Sequence, residues 1–268
     1  MVFEQILVED VESVRVIILN RPERLNAWTY RMGAELAAAV KAGNEDDDVE
    51  AFVVTGAGRG FCAGADIADV FDAQQQGDEG ASSSRGSESP RDWVGLVRAS
   101  KPMVAAINGA AIGVGLTQVL PFDALFAAEG AKLSVRFIRM GLVPELASSQ
   151  FLLQRVGFGA ASDLMLTGRT VLADEAKALG LVDRVVPPED LVDAAIAQAR
   201  AMGSNPQQAL RMVKELLTLN ATEPDLAKVQ QRELAALQVC YTSPEHKEAI
   251  AAFLEKRDPD FRAARTRD

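Results

Sequence analysis

Histidine occurs once in this 268-residue chain and cysteine twice, and those two scarcities remove several kinds of chemistry. His246 lies in Pro244-Glu245-His246-Lys247-Glu248, a charged stretch that reads as the solvated side of a helix. A Ser-His-Asp triad would have to rest on that one imidazole, and a histidine-rich metal site has no ligands. Cys62 and Cys240 are far apart, which predicts two free, buried thiols in a reducing compartment and no disulfide framework. No G-x-x-x-x-G-K-[ST] occurs, so there is no P-loop. No apolar run reaches the ~18 residues that a membrane-spanning helix needs. The first residues, MVFEQILVEDVES, lack the basic segment and apolar run of a secretory signal. Positive charge is short as well: 28 Lys and Arg face 38 Asp and Glu, a net −10. That balance opposes nucleic acid and anionic membrane as partners. The expectation is a cytoplasmic protein whose ligand, if anionic, is met by a few locally gathered Arg and Lys.

What remains is an ordinary globular composition, 48% hydrophobic and 25% charged, long enough for one α/β domain with or without a helical appendage. Phe3 to Val8 and Val14 to Leu19 read as a hairpin of β-type runs, broken by Asn20-Arg21-Pro22. A helix is predicted from Thr29, with Met32, Leu36 and Val40 on one face. Ala51–Thr55, Met103–Ile107 and Ala124–Ala128 read as buried strands, and a helix should begin near Asp66. Strands alternating with helices argue for α/β units. Residues 74–92, QQQGDEGASSSRGSESPRD, carry no apolar anchor and are expected to form a mobile loop. After Pro187 the pattern is helical almost throughout. Leu226, Val229, Leu234 and Leu237 form one apolar face, and Ala249, Ile250, Phe253 and Leu254 another.

The stretch VVTGAGRGFCAGAD, residues 53–66, runs a strand into four glycines. Its Thr55–Gly60 part resembles the glycine turn of short-chain dehydrogenases, but the context fails. Those enzymes pair Tyr with Lys four residues on, and here Ala34 follows Tyr30 and Glu245 follows Tyr241. A dinucleotide loop also follows the first strand, with an acidic residue ~20 positions later; here two strands come first, and that position falls in the polar loop. Backbone N–H groups freed by a glycine turn before a helix can instead hold an oxyanion. Two such turns follow buried strands, Cys62–Asp66 and Gly113–Leu116, and one N–H from each could meet a single carbonyl oxygen. The same glycines equally permit tight strand-to-helix packing.

Six motifs now stand in order along the chain: Leu19-Asn20-Arg21-Pro22-Glu23-Arg24-Leu25-Asn26-Ala27; Gly60-Phe61-Cys62-Ala63-Gly64-Ala65-Asp66; Lys101-Pro102 with Ile107-Asn108-Gly109-Ala110-Ala111-Ile112-Gly113; Gly141-Leu142-Val143-Pro144-Glu145; Leu166-Thr167-Gly168-Arg169 with Ala173–Val182; and Phe253-Leu254-Glu255-Lys256-Arg257. Over nearly its whole length the sequence resembles the crotonase superfamily, the enoyl-CoA hydratase/isomerase family. The resemblance implies a spiral core of ββα units over residues 1–187 and a C-terminal helical trimerisation region over 188–268. It implies homotrimers or dimers of trimers, an acyl-CoA thioester as ligand, no metal, and no cofactor beyond the coenzyme A of the substrate. The thioester oxygen would be held by the N–H groups of Ala63 and Val114. Ala65, Asp66 and Ile67 would line the adenine pocket, and Arg24 and Leu25 would border coenzyme A. Phe253 and Lys256 match positions that reach coenzyme A in the family, often across a subunit boundary.

The chain departs from the family's hydratases, which use two glutamates. Thr117 and Phe137 stand where those carboxylates would be, and neither can serve as acid or base. Glu145 remains, set among Leu142, Val143, Pro144 and Leu146, where apolar surroundings raise a carboxyl pKa toward a general base's working range. Its position matches the base of the family's Δ3,Δ2-enoyl-CoA isomerases, which take a proton from C2 and return it at C4. The resemblance thus implies an isomerase, with a hydratase-like enzyme, a thioester hydrolase and a weakly active acyl-CoA binder as alternatives.

Overall fold

The computed structural model describes residues 2–69 and 92–265; the polar loop expected at 74–92 lies outside them apart from Asp92. Strands β1 (Ile6–Val11) and β2 (Val14–Leu19) form the antiparallel hairpin. The first strand begins three residues later than its apolar pattern suggests. Thr29 caps helix α1 (Tyr30–Glu45) by accepting the Met32 N–H, and Met32, Leu36 and Val40 are buried along one face.

Three successive units then repeat one pattern. The first strand of each joins a six-stranded sheet: β3 (Ala51–Gly56), β5 (Met103–Ile107) and β7 (Ala124–Ala128). The second, much shorter, joins a four-stranded sheet: β4 (Gly60–Cys62), β6 (Ala110–Ile112) and β8 (Lys132–Ser134). Helices α2 (Trp93–Ala99), α3 (Val114–Thr117) and α4 (Ser148–Thr167) complete the units. This is the spiral of ββα units that the sequence implied. The large sheet runs β1-β2-β3-β5-β7-β10, parallel from β2 onward, with β10 (Arg184–Val186) at its edge. The small sheet runs β4-β6-β8-β9, where β9 (Val171–Leu172) pairs antiparallel to β8, and α5 (Ala173–Ala178) joins β9 to β10.

The central strands are apolar throughout because both of their faces are covered. Phe52, Val54, Met103, Ala105, Ile107, Leu125 and Ala127 point into the main core. Their alternate neighbours Ala51, Val53, Val104, Ala106, Ala124, Phe126 and Ala128 face Leu191, Ala195 and Ala199 of helix α6 (Leu191–Gly203). The next helix, α7 (Gln207–Asn220), is tied down by charge. Lys214 Nζ meets Asp123 Oδ2 at 2.8 Å, and Arg98 of α2 meets Asp123 Oδ1 at 3.1 Å. Helices α8 (Leu226–Tyr241), α9 (Pro244–Glu255) and α10 (Phe261–Arg265) end the chain. Their apolar faces are open: Leu226, Leu234, Leu237, Ile250, Phe253 and Leu254 are all exposed. His246, read from sequence as solvated, is half-buried beside Tyr241, ring centroids 5.6 Å apart. Cys62 and Cys240 are free thiols; burial pushes Cys62 up to about 11, whereas Cys240, expected to be buried, is only half-buried. No helix of the described residues is long and apolar enough to cross a membrane.

Candidate active site

The glycine turn after β3 is closed on itself. Asn26, fully buried, donates its amide to the carbonyls of Ala57 (2.9 Å) and Gly60 (2.8 Å). Asn108 accepts the Gly56 N–H at 3.1 Å and donates to Gly58 O at 2.9 Å. With its polar groups answered by two asparagines, residues 56–60 shape a corner and do not cradle a phosphate.

Beyond that corner, residues 25–28 run beside 63–66. The Ala63 N–H donates to Leu25 O at 3.1 Å, Trp28 N–H to Gly64 O at 2.8 Å, and Asp66 N–H to Trp28 O at 2.8 Å. Along an extended chain, successive N–H groups point to opposite sides. Because Asp66 donates toward Trp28, the N–H of its neighbour Ala65 faces away from Trp28, with no acceptor among the described residues. This corrects the oxyanion donor implied by the sequence: the Ala63 N–H is already committed, and Ala65 presents the free one. Gly64, at φ +110°, makes the twist that turns Ala65 outward.

Val114 is the first residue of α3, so its N–H has no partner within the helix. It follows β6, which pairs in parallel with β4, so Ala65 and Val114 emerge at the same end of neighbouring strands. The gap between them is tight. A Cβ on Gly115 would stand 2.2 Å from Cys62 O, and only glycine lets α3 approach the Cys62–Ala65 segment this closely.

Ala65 and Val114 line one cavity of about 590 Å³ together with Trp28, Ile67, Phe137 and Glu145. Glu145 is the one carboxylate among the described residues on that wall. The residue is exposed, yet crowding by protein atoms partly desolvates its carboxyl and raises its pKa from the usual 4.5. Leu146 and Ala147, immediately after it, both adopt left-handed backbone, φ 54° and 52°. That reversal precedes α4 and is a strained arrangement for residues with side chains. Phe137 does sit on the cavity wall, its ring 4.0 Å from where a Gly113 Cβ would be. Thr117 does not: it is fully buried, outside the lining, with its hydroxyl unpartnered.

A second cavity shares Ala63, Ala65 and Ile67 with the first and adds Arg24, Asp66 and Ala68. Of the residues implied to border coenzyme A, Arg24, Ala65, Asp66 and Ile67 are thus gathered in one place. Leu25 is half-buried behind them, where its carbonyl holds Ala63. Phe253 and Lys256, on and after α9, line neither cavity of the single chain. Arg21 was not legible as a site residue. It bonds Ala27 O at 2.6 Å and Asp66 at 2.9 Å, and that contact holds the Asp66 carboxyl below its ordinary pKa. Trp28, just before α1, and Tyr30, its first residue, were also missed and line the cavity.

The profile of the enoyl-CoA hydratase/isomerase family matches residues 9–264. A probable enoyl-CoA hydratase of Mycobacterium bovis is 35% identical over 261 residues, covering 97% of this chain and 99% of the relative. A 1,2-epoxyphenylacetyl-CoA isomerase of Escherichia coli is 34% identical over 263 residues, covering 96% of this chain and 98% of that one. Among solved structures, an enoyl-CoA hydratase from Bacillus anthracis superposes with TM-score 0.86 at 31% identity, covering 97% of this chain and 99% of its own.

Proposed function

The chain belongs to the enoyl-CoA hydratase/isomerase family, and from that premise we propose that it moves the double bond of a 3-enoyl-CoA to the 2 position through Glu145. The observation that carries this reading is the solitary carboxylate of the cavity wall. Adding water to a 2-enoyl thioester calls for one group to activate water and another to deliver a proton at C2. Phe137 and Thr117 offer neither, and Thr117 is away from the cavity.

A double-bond shift asks for less. The Glu145 carboxylate takes a proton from C2, and the electron pair left behind delocalises over C2–C4 and the thioester oxygen. The N–H groups of Ala65 and Val114 stabilise that dienolate oxygen, each typically worth about 2.7–4 kcal/mol. The protonated Glu145 returns its proton at C4, and the double bond settles between C2 and C3. Atoms and electrons balance without water or a redox partner. Partial desolvation serves this role, because a carboxyl with a raised pKa is a better match to a weakly acidic C–H. Arg24 and the backbone around Asp66 and Ile67 would receive coenzyme A in the adjoining cavity. The exposed apolar faces of α8 and α9, with Phe253 82% exposed, support assembly into homotrimers or dimers of trimers. In such an assembly Phe253 and Lys256 would reach a neighbouring subunit's ligand.

The test offers the purified protein a 3-enoyl-CoA and, separately, a 2-enoyl-CoA. The expected result is conversion of the first to the conjugated thioester and little hydration of the second. Rapid formation of 3-hydroxyacyl-CoA, or release of free coenzyme A thiol, would overturn the reading in favour of a hydratase or a hydrolase.

A further inference from the structure

The cavity that holds Glu145 also carries charge for which the double-bond shift has no use. Arg136 and Arg139 both line it, three residues apart on the 3-10 turn Arg136–Met140. At three residues per turn, that spacing puts both guanidinium groups on one side. Arg139 is held through Nε by the Thr167 carbonyl at 2.9 Å, at the end of α4. Arg136 has no hydrogen bond or ion pair to any described residue.

The turn also has a definite place along the ligand's path. None of its residues lines the adjoining cavity where Arg24 and Asp66 lie. Phe137, in the same turn, reaches the Gly113 loop that presents Val114. The turn therefore stands beside the Val114 loop and outside the cavity where Arg24 would receive coenzyme A, so the acyl part of the ligand is the part it can meet.

We propose that the acyl group of the substrate ends in a carboxylate, making it the monothioester of a dicarboxylic acid, and that Arg136 anchors that carboxylate. The inference rests on the acyl-CoA reading above. Much of the remaining wall is apolar: Trp28, Ile67, Ile112, Phe137, Met140 and Val143. Arg136 is exposed at this wall, and a neutral tail packed over its guanidinium would displace water and give no partner in return, which costs free energy. A carboxylate end would accept two parallel N–H bonds from Arg136, a geometry that arginine is built to give. Glu145 is committed to the reacting carbons and forms no ion pair with either arginine.

The test is calorimetric binding of saturated thioesters, which have no double bond to shift. Three length-matched pairs are compared: succinyl- against butyryl-CoA, glutaryl- against pentanoyl-CoA, and adipyl- against hexanoyl-CoA. The wild type should favour the carboxylate member of at least one pair by about ten-fold or more. Arg136→Gln should bring that ratio close to one. No preference in any pair overturns the inference, as does a preference that survives Arg136→Gln. A parallel loss for both members leaves the ratio unchanged and assigns Arg136 to the shared coenzyme A portion. If neither member of any pair binds, the acyl-CoA reading itself fails. If the acid is preferred but 3-enoyl-CoA is not isomerised, only the isomerase reading falls.

Discussion

Replacing Glu145 with glutamine keeps the side chain's size and removes its ability to take up and return a proton. A positioned general base contributes typically about 10²–10⁴-fold to rate. No second carboxylate among the described residues lines the cavity to substitute for it, so the expected fall in kcat lies near the top of that range, ~10³-fold or more. Binding of a saturated acyl-CoA should change little. Stability should move in the opposite direction. Crowding by protein atoms partly desolvates the carboxylate and disfavours its charged form, so the folded-state pKa of Glu145 lies above its unfolded value. Such a group contributes stability that is fully present below the unfolded pKa and is lost as pH rises through the folded pKa. At pH 7 the ionised carboxylate therefore burdens the folded state, and the glutamine variant should unfold at the same temperature or higher. At pH 4 the two proteins should converge. For the same reason the acid limb of the wild-type kcat/KM profile should lie above pH 4.5. The assays are the absorbance of the conjugated thioester and thermal unfolding by circular dichroism at both pH values. A variant that keeps a tenth of the wild-type rate refutes Glu145 as the base. A marked loss of thermal stability at pH 7 refutes the desolvation argument and makes the carboxylate a structural acceptor.

Gly115→Ala puts a methyl group 2.2 Å from Cys62 O, which must push Val114 away from Ala65. Loss of one well-placed oxyanion donor costs about 10²–10³-fold in kcat, with KM nearly unchanged, and steady-state kinetics on 3-enoyl-CoA would show it. Asp123→Ala leaves Lys214, already depressed in pKa by burial, facing Arg98 without a counter-charge. Breaking one side of a buried ion pair typically costs about 3–5 kcal/mol. Chemical denaturation should report that loss, while an unchanged midpoint would mean that α7 is held by apolar contacts alone.

Much of the scaffold was legible because its signals are local. Met103–Ile107 and Ala124–Ala128 are strands with the bounds their apolar runs suggest, since covered strands need no polar alternation. The start of α1 was legible from the four-residue spacing of Met32, Leu36 and Val40, which the structure buries on one face. The oxyanion donor was misassigned for a reason that composition does not carry. Whether Ala63 or Ala65 offers its N–H depends on which side the Leu25–Trp28 segment pairs with, a contact made nearly 40 residues away. Arg21 and Trp28 were missed for the same cause, since they enter the site across that pairing. Glu145 was legible because two of its apolar sequence neighbours, Leu142 and Val143, line the same cavity. Phe253 and Lys256 stand apart from both cavities in a single chain, and nothing in their local sequence signals that distance.

The central claim is that one carboxylate carries one proton from C2 to C4. It is tested most directly with 3-enoyl-CoA deuterated at C2, under single-turnover conditions, with the product read by NMR or mass spectrometry. The account predicts 2-enoyl-CoA carrying deuterium at C4, and no such transfer with Glu145→Gln. A product with no label at C4, or one that is mainly 3-hydroxyacyl-CoA, would contradict it.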